Sequence, residues 1–334
     1  MVKTVLRLLL DPNAVAPADI PWDDWVSVLE RNAVLLRVVH RLETLRRPIP
    51  PGLAVAALRE RARVARVLQL MRRIADACDR HGVPHLFPKA FANYPDAGGD
   101  IDLLVPLSSD FDPLLLRLAH LAPEMGSAAP WSGSRVYRLP DEELTLDIHH
   151  GCVGRVGEHR DLAIRLIRNR RTVSLAGTEW WTPSPEDELV FQGFERIAGR
   201  RSFRIGDVLN AIGLVQRPDL DWDAVRETAR VSGAGPNLSC YLGYIAQIHR
   251  EALGRELPLP GLGGSSSGWG RAEFTHGAFH FPTMRVSGAL YARAFGRAVA
   301  QGRLIGAGRL LLLPLAAVSA VWRRLAPALA GAER

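Results

Sequence analysis

Asp100-Ile101-Asp102-Leu103-Leu104-Val105 alternates carboxylate and aliphatic side chains and then becomes wholly apolar. Successive side chains of an extended strand point to opposite faces, so this spacing predicts a strand with Asp100 and Asp102 on one face and Ile101 and Leu103 on the other. Leu144-Thr145-Leu146-Asp147-Ile148-His149 repeats the pattern, with Thr145, Asp147 and His149 sharing a face. Acids on the solvent face of an edge strand are ordinary, and an Asp-x-Asp pair alone requires no more than that. Paired carboxylates repel, however, unless a cation sits between them. Joined by a third acid from a neighbouring strand, they form a set able to hold two divalent ions about 3.5 to 4 Å apart, which suits phosphoryl chemistry. In that reading Asp100 and Asp102 bridge the metals. Asp147 binds the metal on the nucleophile's side and helps to accept the proton.

Outside the two strands the period becomes helical. Trp25, Leu29, Leu36 and Val39 fall on one side of a segment that Asp23 or Asp24 is placed to cap. A longer helix is expected from about Leu53 to His81, striped by Val67, Met71, Ile74 and Cys78 and stopped by His81-Gly82. Its many arginines read most simply as a solvated surface. Ser184-Pro185-Glu186-Asp187 combines a cap residue, a proline and first-turn acids, and so opens another helix that carries Leu189, Val190, Phe194 and Ile197. Further helices are expected around Ile205 to Val215, from Asp221 through Arg230 and from Leu238 through His249.

Within this frame Phe87-Pro88-Lys89-Ala90, Tyr94-Pro95 and Gly99-Asp100-Ile101-Asp102-Leu103-Leu104-Val105 resemble the "LKG…Y…DIDLLV" core of the uncharacterised nucleotidyltransferases. That family is related to the polymerase-beta-type nucleotidyltransferase superfamily. Leu146-Asp147-Ile148-His149 is similar to its second element, "vDLHw", and the likeness extends over most of residues 20 to 250. The resemblance implies an α+β fold, a small mixed β-sheet nucleotidyltransferase core flanked by N-terminal and C-terminal helices. It also implies that Asp100, Asp102 and Asp147 bind Mg²⁺ or Mn²⁺ and that Lys89 and Ala90 approach the triphosphate, with ATP the expected nucleotide. The chain departs from the pattern in two places. Ala90 stands where the family has a glycine, which would let backbone come close to phosphate. Gly98-Gly99 stands near the place of an arginine. His149, on the acidic face, is placed to position the acceptor or to bond Asp147, and a histidine satisfied by nearby backbone is an equal reading. His149, His150 and His159 are too irregularly spaced to read as a metal cluster.

The chain has 334 residues and is 47% hydrophobic, enough for a real core. Cys78, Cys152 and Cys240 lie far apart, without CxxC spacing, so neither a disulfide framework nor a cysteine-rich zinc site is indicated. A reducing cytoplasm is the expected location, and no signal peptide is read at the N-terminus. The net charge of +7 is misleading as a nucleic-acid signal. From Thr275 onward there are eight arginines and one acid, Glu333, so the preceding residues are neutral overall.

These patterns divide the chain into an N-terminal helical region (1–82), the nucleotidyltransferase core (83–182) and a C-terminal helical region (183–256). A Gly/Ser/Pro linker (257–270) and a basic, partly apolar tail (271–334) complete it. The uncharged run Leu310 to Trp322 is too short to span a bilayer, which takes about 20 residues. It reads either as peripheral membrane contact or as a helix docked on protein. The function expected is metal-dependent transfer of a nucleoside monophosphate from a nucleoside triphosphate to a hydroxyl or phosphate. A small molecule, peptide or polymer suits the neutral core better as acceptor than RNA does. Two alternatives use the same residues: a degenerate member that binds or scaffolds without catalysis, and a metal-dependent phosphate-ester hydrolase.

Overall fold

The computed structural model describes residues 1–15, 20–106, 108–122, 124–128, 133–139, 144–154, 159–200, 202–260, 270–300, 302, 307–308 and 310–312. The run Leu310 to Trp322 lies mostly outside the described residues, as does most of the expected linker. Among the described residues no helix is long and apolar enough to cross a membrane.

Both acid-bearing segments form the strands expected of them, β1 (Asp100–Val105) and β4 (Leu144–His150). Together with β2 (Glu124–Ala128) and β3 (Ser134–Leu139) they make a sheet of order β1-β4-β3-β2. β1 and β4 run parallel and the other neighbours antiparallel, so the sheet is mixed. Ile101, Leu103, Leu146 and Ile148 are buried on the face opposite the acids. The fold is α+β.

Among the described residues four helices precede the sheet: α1 (Val2–Leu10), α2 (Trp22–Arg31), α3 (Leu35–Thr44) and α4 (Pro51–Arg80). The segment expected to carry Trp25, Leu29, Leu36 and Val39 on one helical side is in fact two helices. Ala33 takes a left-handed φ of 53°, and the chain turns at Asn32 and Ala33 before α3 begins. Sequence periodicity passed over the break because Leu29, Leu36 and Val39 are all buried on either side of it. α4 begins with Pro51 at its first turn and ends just before His81, and Val67, Met71, Ile74 and Cys78 are all buried.

Beyond β1 lie α5 (Asp112–Leu118) and, after β4, α6 (Arg160–Arg168). A hairpin follows, β5 (Arg171–Leu175) with β6 (Thr178–Thr182), and leads into α7 (Pro185–Phe194). Ser184 caps α7, its Oγ accepting the Asp187 N–H at 3.2 Å. A π-helical turn, Glu195–Gly199, extends α7. β7 (Ser202–Phe203) then precedes α8 (Ile205–Val215), α9 (Trp222–Ser232) and α10 (Gly235–Leu253). Finally, β8 (Glu273–Thr275) and β9 (Ala278–His280) pair with each other, β9 pairs with β7, and α11 (Thr283–Ala300) follows. One continuous hydrophobic cluster runs from Val5 to Leu290.

Candidate active site

The ladder between β1 and β4 decides which side chains meet. Asp102 lies opposite Asp147 and Asp100 opposite Thr145. His149 is two residues beyond Asp147, on the same face. Asp102, Asp147 and His149 can therefore present ligand atoms that all lie within 4.8 Å of one another. His149 Nε2 is 3.3 Å from Asp102 Oδ1 and 3.8 Å from Asp147 Oδ2. Asp100 stands outside this group. It sits at the open start of β1, where its Oδ2 is 3.4 Å from Arg200 Nη2. His150 and His159 also point elsewhere: His150 Nε2 lies 2.8 Å from Asp112 Oδ1, and His159 Nδ1 lies 3.1 Å from the Ser232 carbonyl.

Lys89 comes from the turn before β1 and is buried. Its Nζ is 2.9 Å from Asp102 Oδ2 and 2.9 Å from Glu195 Oε2, and it lies over the Phe191 ring. The ammonium thus sits inside the acidic group. The left-handed residue of this turn is Lys89 itself, at φ 62°, whereas Ala90 has no positive φ. The alanine that replaces the family's glycine therefore carries no backbone strain.

Four residues of the site escaped the sequence reading: Glu195, Arg196, Arg200 and Arg204. Glu195 and Arg200 meet because π-type bonding relates residue i to i+5, and Arg200 Nε is 3.5 Å from Glu195 Oε1. Arg196 bridges Glu195 Oε2 at 3.2 Å and Asp207 Oδ1 at 2.7 Å. The cluster of Arg196, Arg200 and Arg204 just after a predicted helix was the available signal. The π turn that aims it has no periodic signature. These arginines line a narrow cavity of about 40 Å³ together with Lys89, Asp100 and Asp102. That is far below the roughly 300 Å³ at which small-molecule sites begin.

Burial works against charge throughout this cluster, and the partners overcome it. Desolvation raises the Asp102 carboxyl, but the Lys89 ammonium and the His149 ring outweigh it and hold Asp102 well below the usual carboxylate range. Burial lowers His149, yet Asp147 and the hydrogen bond to Asp102 carry it above its ordinary value. Asp147 is pushed up, first by burial and then by the Asp102 charge, against the pull of His149 and Lys89. Lys89 is raised despite its burial by Asp102 and Glu195.

The donor set suits a divalent cation. Two carboxylates and an imidazole converge, and Asp147 Oδ1 is buried with no hydrogen-bond partner among the described residues. Both oxygens of Asp102 already face protein cations, so a bound metal would have to share that carboxylate with Lys89 and His149.

Residues 18–249, about two-thirds of the chain, match the model of a protein family described as "Uncharacterised nucleotidyltransferase". No curated protein matches the sequence. Among solved structures, similarity is found to the solution structure of the antibiotic-resistance factor ANT(2'')-Ia, with 11% identity, 57% of this chain and 100% of that one covered, and a TM-score of 0.32. An antigenic nucleotidyltransferase-like protein from Paracoccidioides brasiliensis gives 16% identity, coverage of 52% and 91%, and a TM-score of 0.32. Terminal uridylyl transferase 4 from Trypanosoma brucei with bound CTP gives 12% identity, coverage of 64% and 72%, and a TM-score of 0.25.

Proposed function

Because this chain belongs to the uncharacterised nucleotidyltransferase family, we propose that it moves a nucleoside monophosphate from a nucleoside triphosphate to a hydroxyl or phosphate acceptor at the Asp102–Asp147 pair. The observation that carries this reading is the parallel register of β1 and β4, which sets Asp102 beside Asp147 and brings His149 onto the same face. Asp102, Asp147 and His149 would hold a divalent ion, Mg²⁺ or Mn²⁺, which when bound supplies charge neutralisation at the phosphates and lowers the pKa of the acceptor hydroxyl. Asp100, at the open start of the strand and engaged by Arg200, is the acid placed to join them as Arg200 turns to phosphate oxygens. Lys89 keeps Asp102 ionised and oriented. Arg200 and Arg204, on the cavity wall, are the guanidinium groups placed to meet a triphosphate, as bidentate arginine–phosphate geometry favours. ATP is the nucleotide to try first.

One observation favours a second reading, a member that keeps the fold and binds without turnover. Lys89 and His149 occupy both Asp102 oxygens, Arg200 holds Asp100, and the cavity at the acids is small. A single experiment separates the two. Purified protein is incubated with each of the four triphosphates and Mg²⁺ or Mn²⁺, and pyrophosphate release and nucleotidylated product are measured beside Asp102→Asn. Transfer predicts product formation in the wild type and a drop of at least about 100-fold in the variant, the scale of losing a preorganised charged group. Turnover that is unchanged in Asp102→Asn sinks the site assignment. Pyrophosphate without any adduct points instead to hydrolysis.

A further inference from the structure

A second cleft lies beside the Lys89 turn. It measures about 350 Å³, within the range of small-molecule sites and much roomier than the cavity at Asp102. Phe91, Val173, Pro183, Leu209 and Leu214 make it largely apolar. Its polar lining includes Arg171, Arg217, Glu188 and Gln192, with Thr182 and Asn210 beside them.

The two arginines differ in a way that matters. Arg217 is engaged by Asp219, with Nε at 3.0 Å and Nη2 at 2.6 Å from its two oxygens. Arg171 makes no ion pair among the described residues, and its Nε is buried without a hydrogen-bond partner. The side chain as a whole is half-buried, and the one buried donor, Nε, costs free energy unless an acceptor meets it. Burial, and then the like charge of Arg217, push Arg171 below its usual value, and the more distant charges of Glu186, Asp219 and Glu188 do not outweigh them. Glu188, which also lines the cleft, accepts a hydrogen bond from Gln192 at 2.8 Å, and burial pushes its carboxyl up against the pull of that bond and of Lys89.

The third observation is Gly213. It lies in the interior of α8, where glycine costs roughly 1 kcal/mol relative to alanine, and it lines the cleft. A Cβ built on it would meet nothing within 4 Å, so packing does not require the glycine. Its lack of a side chain keeps the cleft open.

We propose that this cleft binds a small organic anion with an apolar body, its carboxylate or phosphate meeting the Arg171 guanidinium and its body lying against α8 beside Gly213. The site is distinct from the Asp102–Asp147 centre but adjoins its cavity at Lys89 and Phe91. Lys89 lines both cavities, and its backbone N–H reaches Glu188 Oε2 at 3.4 Å while its Nζ contacts Asp102. An occupant here is therefore placed to steady or displace the lysine that neutralises Asp102. Binding does not depend on nucleotidyl transfer, and the test reads binding alone.

Full-length protein is titrated calorimetrically with octanoate, octyl phosphate, octanol and inorganic phosphate. The two alkyl anions are expected to bind at least tenfold more tightly than either octanol or inorganic phosphate, which separates the combined chemistry from grease or charge alone. Arg171→Gln should weaken both alkyl anions at least tenfold and leave octanol unchanged. Gly213→Leu should weaken the alkyl anions at least tenfold without lowering the thermal midpoint. If that variant fails to fold, Arg171→Gln decides. Absence of binding, octanol binding as well as octanoate, or alkyl-anion affinities unaffected by Arg171→Gln each overturn the proposal.

Discussion

Asp96 is almost wholly buried, yet its carboxylate holds the start of α3 from 60 residues away. Oδ1 accepts from Leu36 N at 2.8 Å and Oδ2 from Arg37 N at 3.3 Å. Burial outweighs these bonds and the Arg37 charge and raises its pKa to about 6. An unfolded aspartate titrates near 3.9. Between about pH 4 and pH 6 the folded state therefore keeps a proton that the unfolded state has released. Stability attributable to Asp96 falls as pH rises through that window and is level above it, by about 3 kcal/mol in all. Urea unfolding of wild type and Asp96→Asn at pH 4, 5, 6 and 7 isolates the effect, because the other carboxylates cancel in the difference. The wild type should lose ground to the variant as pH rises to 6. Parallel curves would mean that Asp96 titrates normally. At this scale the sequence was informative where period 2 put chemistry on one face: alternation set Asp102, Asp147 and His149 on the acidic faces of their strands. The family resemblance was needed to single out the acids, whereas His149 was read as a positioning residue and Asp100 as a third ligand. The sequence was silent on Glu195 and Arg200, which meet through a π turn, and on the partner of Lys89, because which carboxylate a buried ammonium chooses depends on packing.

Among elements, the strands β1 and β4 were legible because each buries one face fully, which fixes register. β5, β6, β8 and β9 were not, since their burial alternates weakly or spans only three residues. The break between α2 and α3 was hidden because the chain turns at an alanine, a residue type that seldom adopts positive φ. What holds that break is Asn32. Its Oδ1 accepts from Ile205 N at 2.8 Å, and its Nδ2 donates to Val28 O at 2.7 Å and Gly277 O at 2.8 Å, tying α2 to α8 and to the β8–β9 turn. Gly206 packs against this knot so closely that a Cβ would lie 2.8 Å from the Asn32 carbonyl oxygen. The obstacle is backbone, which cannot swing aside. Gly206→Ala is accordingly expected to destabilise by about 1–3 kcal/mol, the usual range for overpacking. In the same helix Gly213→Ala meets open space and should stabilise by about 0.4–1 kcal/mol. Denaturant midpoints for the two variants should move in opposite directions. A shift of the same sign would show that helix propensity, rather than the Asn32 contact, governs both.

In the whole molecule, the acids are supported from the far end of the chain. The expected division into separate regions left residues 271–334 as a tail, but β9 hydrogen-bonds to β7 and Phe281 stacks on Phe203 with centroids 4.9 Å apart. Phe274 likewise stacks on Trp25 of α2 at 6.3 Å. The sequence could not show this, because Gly- and Ser-rich composition reports a break in regular structure and not whether the chain returns to the core. α11 packs on the π turn that carries Glu195 and Arg196. Glu195 in turn holds Lys89, and Lys89 holds Asp102. A chain ending at Gly270 should therefore lose more than the area of a hairpin. Phe203 and Tyr244 would be uncovered and the π turn released. Thermal unfolding followed by circular dichroism should show a lowered midpoint, and binding or turnover of a triphosphate should fall with it. Phe281→Ala is the milder version, expected to cost about 3–5 kcal/mol for a buried aromatic. If truncation leaves both midpoint and nucleotide assays unchanged, residues 271–300 are an appendage and the support reaching Lys89 ends at the π turn. If Phe281→Ala lowers the midpoint and weakens nucleotide binding together, the C-terminal hairpin is part of the machinery that keeps Lys89 against Asp102.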